Sequence, residues 1–153
     1  IDARLALNPA FSMPQDSPTC TLISNGTGIG PFLGMLEGTN ERCPVHFYWG
    51  CRNQEEESLF EADFKKAKSL SGMAHFEVAY SQEGKKQRIQ ERIKRDRIKL
   101  ARNLADGGAI MICGALQMQH DIEIILEGAL EEEKLGTLQD FRNRGQFLTD
   151  CYG

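Results

Sequence analysis

The reading turns on Thr21-Leu-Ile-Ser-Asn-Gly-Thr-Gly-Ile-Gly-Pro-Phe-Leu33. An apolar run ends in Ser24 and Asn25, three glycines follow at alternate positions, and Pro31 opens a second apolar-rich segment. This order predicts a strand, a glycine turn and a helix start. Glycine allows backbone dihedrals that a side chain forbids, and it lets a ligand approach the main chain. Pro31 suits a first helical position, because it lacks an N–H that would find no partner there. The free N–H groups and positive dipole end of such a helix form a site for phosphate. A plain strand-to-helix connection would use the same residues. The pattern is neither G-x-G-x-x-G nor G-x-x-x-x-G-K-[ST].

A chain of 153 residues is long enough for one domain with a real core. Its 41% hydrophobic and 26% charged content is that of a globular protein, and a net charge of −4 argues against a nucleic-acid partner. No apolar run approaches the ~20 residues of a membrane span, and no signal-peptide pattern opens the chain. The first residue is Ile1, so we expect a piece of something longer. The five cysteines are an odd number without C-x-x-C spacing. They fit reduced thiols, and with them a cytoplasmic location. His46, His75 and His120 are scattered, so no metal site is expected.

Residues 1–19 carry Pro9, Pro14 and Pro18 and read as a linker or the tail of a preceding domain. The first helix is expected from Pro31 to about Glu37, stopped by Gly38. Val45–Trp49, His75–Tyr80, Ala109–Cys113 and Gln146–Asp150 read as further strands. Glu57–Lys68, Lys86–Leu104, Gln117–Lys134 and a short Leu138–Arg142 read as helices. Leu59, Phe60 and Phe64 fall at helical spacing in the first of these, Ile89, Ile93, Ile98 and Leu100 in the second. Ile122, Ile125, Leu126 and Leu130 do so in the third.

Strands alternating with helices imply an α/β fold whose parallel sheet is covered on both faces. Ligands in such folds bind beyond the C-terminal strand ends, near the switch point of strand order. The residues that follow strands are therefore the candidates. Ser81, Lys86 and Arg88 could surround a dianion at the start of the second long helix, where bare cations would oppose the helix dipole. Arg52 would face the crevice, or pair with a glutamate among Glu55–Glu57. Gly114 would admit a flat ring beside Cys113, which could equally be an inert buried thiol. Tyr152, nearly the last residue, could stack on a ring or plug the core.

Taken in order, Gly26-Thr-Gly-Ile-Gly-Pro-Phe32, Tyr48-Trp-Gly-Cys-Arg52 with Ser58-Leu-Phe60, Ala79-Tyr-Ser81, Ile112-Cys-Gly114 and Asp150-Cys-Tyr152 resemble one known domain. It is the nicotinamide-dinucleotide domain of the ferredoxin–NADP reductase superfamily. The similarity is to the diflavin branch, which holds sulfite reductase flavoprotein, cytochrome reductases and the reductase half of nitric oxide synthase. It covers roughly residues 20–153.

The resemblance implies a three-layer α/β sandwich on a five-stranded parallel sheet in the order 3-2-1-4-5, with the first strand central. It implies an NADP(H)-binding domain over 20–153, and an FAD domain preceding it. Gly26, Thr27, Gly28, Ile29 and Gly30 would hold the pyrophosphate and the nicotinamide end. Cys51 and Arg52 would lie on the phosphate or adenosine side. Ser81, Gln82, Lys86 and Arg88 would form the 2′-phosphate site. Cys113, Gly114 and Asp150 would flank the nicotinamide, and Tyr152 would stack on the flavin. The expected function is to pass hydride from NADPH to an FAD held elsewhere, as part of an NADPH-dependent flavoprotein oxidoreductase. A flavodoxin-like domain or an acceptor protein would take the electrons. The alternative is a nucleotide-binding or regulatory module of the same fold without electron transfer. Three departures stand out. Gln82 occupies a position where the family often has Arg, Arg88 one where it often has an aromatic, and Gly30 one where it usually has Ala.

Overall fold

The computed structural model describes residues 10–38, 43–70 and 73–153. Half of the expected linker, residues 1–9, lies outside the described residues. Five strands form one sheet: β1 (Cys20–Asn25), β2 (Val45–Cys51), β3 (Met73–Tyr80), β4 (Ala109–Ala115) and β5 (Phe147–Tyr152). Every neighbouring pair is parallel, and the order is β3-β2-β1-β4-β5. The expected sheet and its central first strand are thus found.

The helices are α1 (Ile29–Gly38), α2 (Gln54–Ser58), α3 (Glu61–Leu70), α4 (Ile89–Ala105), α5 (Leu116–Glu132) and α6 (Leu138–Asn143). Each crossover must be right-handed. The chain steps from β1 outward to β3 and then returns to β4 on the other side of β1, so its helices fall on opposite faces. Ile29, Phe32 and Leu36 of α1 pack with Ala67 of α3 against Leu22, Phe47, Trp49 and Met111 on one face. Ile93 and Leu100 of α4 pack with Ile122 and Leu126 of α5 against Ile23, Tyr48 and Ile112 on the other. Central strands covered twice must be apolar on both sides, which is why β1, β2 and β4 read as continuous runs. Phe11, upstream of β1, is also buried, its ring 5.7 Å from Phe32.

Several boundaries differ from those expected. A 3-10 turn over Gly26–Gly28 precedes α1, which begins at Ile29 rather than Pro31. Pro31 still lies in the first turn, where a missing N–H costs nothing. The helix expected over Glu57–Lys68 is two helices. The Asn53 side chain starts the first by accepting from the Glu56 N–H at 2.9 Å. The chain then breaks at Leu59–Phe60, which sets the Phe60 and Phe64 rings 5.4 and 5.7 Å from Trp49. Leu59, which falls at helical spacing with Phe60 and Phe64 in the sequence, is left 74% exposed by that break. Ile98 and Ile125 are only partly buried.

On the edge strand, Glu77 accepts a hydrogen bond from Arg95 of α4 at 2.6 Å, with His75 and Arg92 at 3.1 and 3.4 Å. Arg95 also reaches Asp96, which accepts the Tyr48 hydroxyl at 2.8 Å. The Arg95 hydrogen bonds hold both carboxyls below their ordinary values of 4.5 and 3.8. A depressed carboxyl stabilises the fold fully above its unfolded value and loses that contribution as pH falls through the folded one. Arg95 is half exposed, so the gain is small, about 1 kcal/mol. The wild-type urea midpoint should therefore fall as pH drops below 4.5, and Glu77→Gln should flatten that decline. A wild-type midpoint that holds steady through this range would show that the network contributes nothing.

Candidate functional site

A cleft of about 610 Å³ opens at the C-terminal edge of the sheet, where β1 and β4 diverge. Their pairing stops at Ser24 and Cys113. Beyond it the Asn25 side chain takes over, its Oδ1 accepting the Ala115 N–H at 2.9 Å. Gly114, at φ 145°, makes that bridge possible, because a Cβ there would lie 2.2 Å from Asn25 Oδ1. The space of its missing Cβ is thus occupied by Asn25, and Gly114 does not itself line the cleft.

The glycine turn forms one wall. Gly26 takes φ 52°, and its carbonyl accepts the Trp49 indole N–H at 3.1 Å. Gly28 is buried against β4: a Cβ there would sit 2.4 Å from the Cys113 carbonyl oxygen. Thr27 projects outward, and its hydroxyl lies 3.1 Å from that of Tyr152. Ile29 points into the core and offers the cleft no side chain, while Gly30 is exposed with open space around it.

The opposite wall is the β2–α2 loop laced to the β3–α4 loop. The Ser81 and Gln82 N–H groups donate to the carbonyls of Cys51 and Arg52, each at 2.9 Å. Glu83 accepts the Gln54 N–H at the start of α2, also at 2.9 Å. Arg52, Ser81 and Arg88 all line the cleft, as do Gly26, Thr27, Cys51 and Tyr152. Arg52 also pairs with Glu56, its Nε 3.5 Å from the carboxylate, so the surface pairing weighed from sequence is present as well. Lys86 does not line the cleft. It lies at φ 51° in the loop, and Arg88 is the N-cap of α4, so neither cation stands on the helix as expected. Gln82 is exposed beside them.

Cys113 and Asp150 are register partners on β4 and β5, so their side chains share one face. Burial, and then the Asp150 charge, push the Cys113 thiol up to about 12, and it stays protonated. It is buried beneath the glycine turn and outside the cleft, whereas Asp150 is partly exposed. Tyr152 follows on the same face, 58% exposed at the cleft rim.

Asn25, Glu56, Gln90, Gln117 and Met118 also line the cleft and were missed in the sequence. Gln117 and Met118 follow a strand, and that position could have flagged them. Gln90 and Gln117 both donate to Asp121, at 3.0 and 2.9 Å. These bonds, Gln90's first, and the nearby Arg88 charge hold its carboxyl low. Among the described residues no cluster could hold a metal, and no helix is long and apolar enough to cross a membrane.

Residues 22–123 match the family model of the oxidoreductase NAD-binding domain. The chain belongs to that family. Its relatives place this NAD-binding domain in the diflavin-reductase branch. It is 32% identical to a bifunctional cytochrome P450/NADPH–P450 reductase of Bacillus cereus, over 87% of the domain and 13% of that protein. It is 31% identical to the NADPH–cytochrome P450 reductase of Sus scrofa, over 93% of the domain and 24% of the relative. It is 27% identical to the sulfite reductase [NADPH] flavoprotein alpha-component of Baumannia cicadellinicola, over 95% and 27%. The domain thus spans about a quarter or less of these proteins.

The two later glycines of the turn should respond oppositely to alanine. Gly28→Ala drives a methyl into fixed backbone and should cost at least ~1–3 kcal/mol. Gly30→Ala meets nothing within 4 Å on a helical backbone and should be neutral or stabilise by ~0.4–1 kcal/mol. Thermal melts of both variants check this, and equal losses would count against the wedge.

Proposed function

We propose that this domain binds NADPH in the cleft and presents it to an FAD held by another domain of the full-length protein, as the NADPH-binding module of a flavoprotein reductase. One observation carries the reading. Two guanidinium groups and two hydroxyls, from Arg52, Arg88, Thr27 and Ser81, converge on one cleft at the switch point, with an aromatic ring at its rim. That donor set fits a ligand with separated phosphates and a flat ring, and NADPH has both.

Arg88 and Ser81 would take the 2′-phosphate, with Lys86 adding charge from outside the cleft. Arg52 would serve the adenosine side, its charge moderated by Glu56. The glycine turn would receive the pyrophosphate through its backbone. When bound, NADPH would supply the hydride that reduces the flavin. The chain's own part is to position and to exclude. Asp150, the register partner of Cys113, would favour the positive charge that the nicotinamide gains. Tyr152 would cover the flavin face and must swing aside for the nicotinamide to enter, a gating step of the kind that often limits turnover. Its hydrogen bond to Thr27 would tie the closed position to the turn that binds the incoming ligand. This coupling, and the Asp150 charge, favour hydride transfer over a module that only binds nucleotide. An electron-acceptor protein or flavodoxin-like domain would complete the path, and a cytoplasmic location suits the free thiols.

In the full-length protein, Arg88→Ala should weaken NADPH binding by ~10-fold or more and leave NADH nearly unchanged, since a charge-assisted bond is worth ~1.5–3 kcal/mol. Lys86→Ala should do less. Calorimetric titration with both dinucleotides decides, and equal weakening would sink the 2′-phosphate assignment.

Tyr152→Ala should leave the melting temperature intact, because the ring is exposed, and should shift the ratio of kcat/KM for NADPH and NADH. Tyr152→Phe, which loses only the bond to Thr27, should lie between wild type and Tyr152→Ala. Unchanged kinetics with both dinucleotides in Tyr152→Ala would remove the gate.

A further inference from the structure

Two cysteines meet at the end of the sheet opposite the cleft. Cys20 is the first residue of β1 and is fully buried, while Cys43 is partly exposed just ahead of β2. The Cys20 N–H donates to the carbonyl of Pro44 at 3.0 Å, which brings the two residues side by side. Cys43 and Met13 pack against the same apolar cluster as Cys20, and the Cys20 S–H donates to the Met13 sulfur at 3.3 Å. Cys20 has a single S–H to give. A thiolate on Cys43 is a stronger acceptor than the Met13 sulfur, so that proton stabilises it. The Cys43 thiol is accordingly pushed down to about 7 by the Cys20 hydrogen bond, while Cys43 and burial push Cys20 up.

The other three cysteines lack this arrangement. Cys51 and Cys151 each donate to a backbone carbonyl, of Asn53 and Ile112. Burial pushes Cys51, Cys113 and Cys151 up to about 12, 12 and 11. An accessible, acidic thiol beside a second thiol is the arrangement of a redox-sensitive pair.

We propose that Cys20 and Cys43 form a peroxide-sensitive dithiol, in which Cys43 is oxidised first and Cys20 then closes a disulfide around the β1–α1 unit. The Cys43 thiolate attacks one oxygen of a hydroperoxide. A sulfur–oxygen bond forms, the oxygen–oxygen bond breaks, and the leaving hydroxide takes a proton to become water. The Cys20 sulfur then attacks the Cys43 sulfenic acid. The sulfur–sulfur bond forms, the sulfur–oxygen bond breaks, and the hydroxyl departs as water with the Cys20 proton. Two thiols and hydrogen peroxide thus give one disulfide and two waters. The closed loop runs from Cys20 to Cys43 and contains the whole glycine turn, so the bond would tether the element that forms one wall of the cleft.

Non-reducing peptide mapping of the full-length protein tests this. Tryptic cleavage after Arg4, Arg42 and Arg52 leaves Cys20 alone in the peptide 5–42, and Cys43 with Cys51 in 43–52. After hydrogen peroxide and alkylation, a cross-linked pair of these peptides is expected, with fragmentation placing the bond on Cys43. Cys20→Ala should leave a Cys43 sulfenic acid that dimedone captures, and Cys43→Ser should leave Cys20 reduced. Without peroxide, alkylation of Cys43 should slow about tenfold from about pH 8 to about pH 6. The proposal is overturned if the wild type shows no such cross-link, if the bond maps to Cys51, or if Cys20 is oxidised as readily in Cys43→Ser. Should Cys20→Ala not fold, the wild-type map and the Cys43→Ser arm still decide.

Discussion

The site depends on how closely two pieces of backbone approach each other where β1 and β4 part. Gly28 lies so near the Cys113 carbonyl that no side chain fits between them. Gly114 lies so near Asn25 that the Asn25 side chain occupies the space of its missing Cβ. Two strands that had paired through Ser24 and Cys113 must separate to open a crevice, yet the freed Ala115 N–H still needs a partner. Asn25 supplies it. The divergence thus leaves no orphaned donor at that position, and the cleft can open without loosening the sheet.

The rest of the site follows from that wedge. With the turn fixed against β4, Trp49 can hold it from β2 through the Gly26 carbonyl. Thr27 then projects toward β5 and meets Tyr152. Parallel register puts Cys113, Asp150 and Tyr152 along one face, so the terminal strand brings its acid and its ring to the same edge as the glycine turn. The cations come from a separate structure, two loops laced by backbone hydrogen bonds. One wall of the cleft is therefore set by packed backbone and the other by loops whose cations stay exposed. In the proposed reading the loops would take the 2′-phosphate, and the packed wall would take the pyrophosphate and the reactive ring.

Polar networks lie on both sides of α4 and serve different ends. Glu77, Arg95 and Asp96 tie the helix to the edge strand and do not line the cleft. Asp121 ties the starts of α4 and α5 through Gln90 and Gln117, both on the cleft. Charge density alone would not have told these apart. The stretch from Arg92 to Arg102 is as rich in charge as the loop before it. Its role is settled by the neighbours that folding brings to it.

The sequence by itself determined the architecture. Apolar runs of strand length alternating with amphipathic helices leave few alternatives to a doubly covered parallel sheet. Gly26–Gly30 marked the switch-point turn because its backbone demands are local and glycine is the direct answer to them. Arg52, Ser81, Arg88 and Tyr152 were legible because such folds gather the residues that follow strands. Only the tertiary structure decided that Gly114 makes room for Asn25, that Lys86 falls outside the cleft while Arg88 lines it, and that Cys20 meets Cys43. It alone also showed Gln90 reaching the site from within a helix. Each of these depends on which atoms approach across the sheet or between elements. That is a matter of packing between residues far apart in the chain, and no local pattern of residue types carries it.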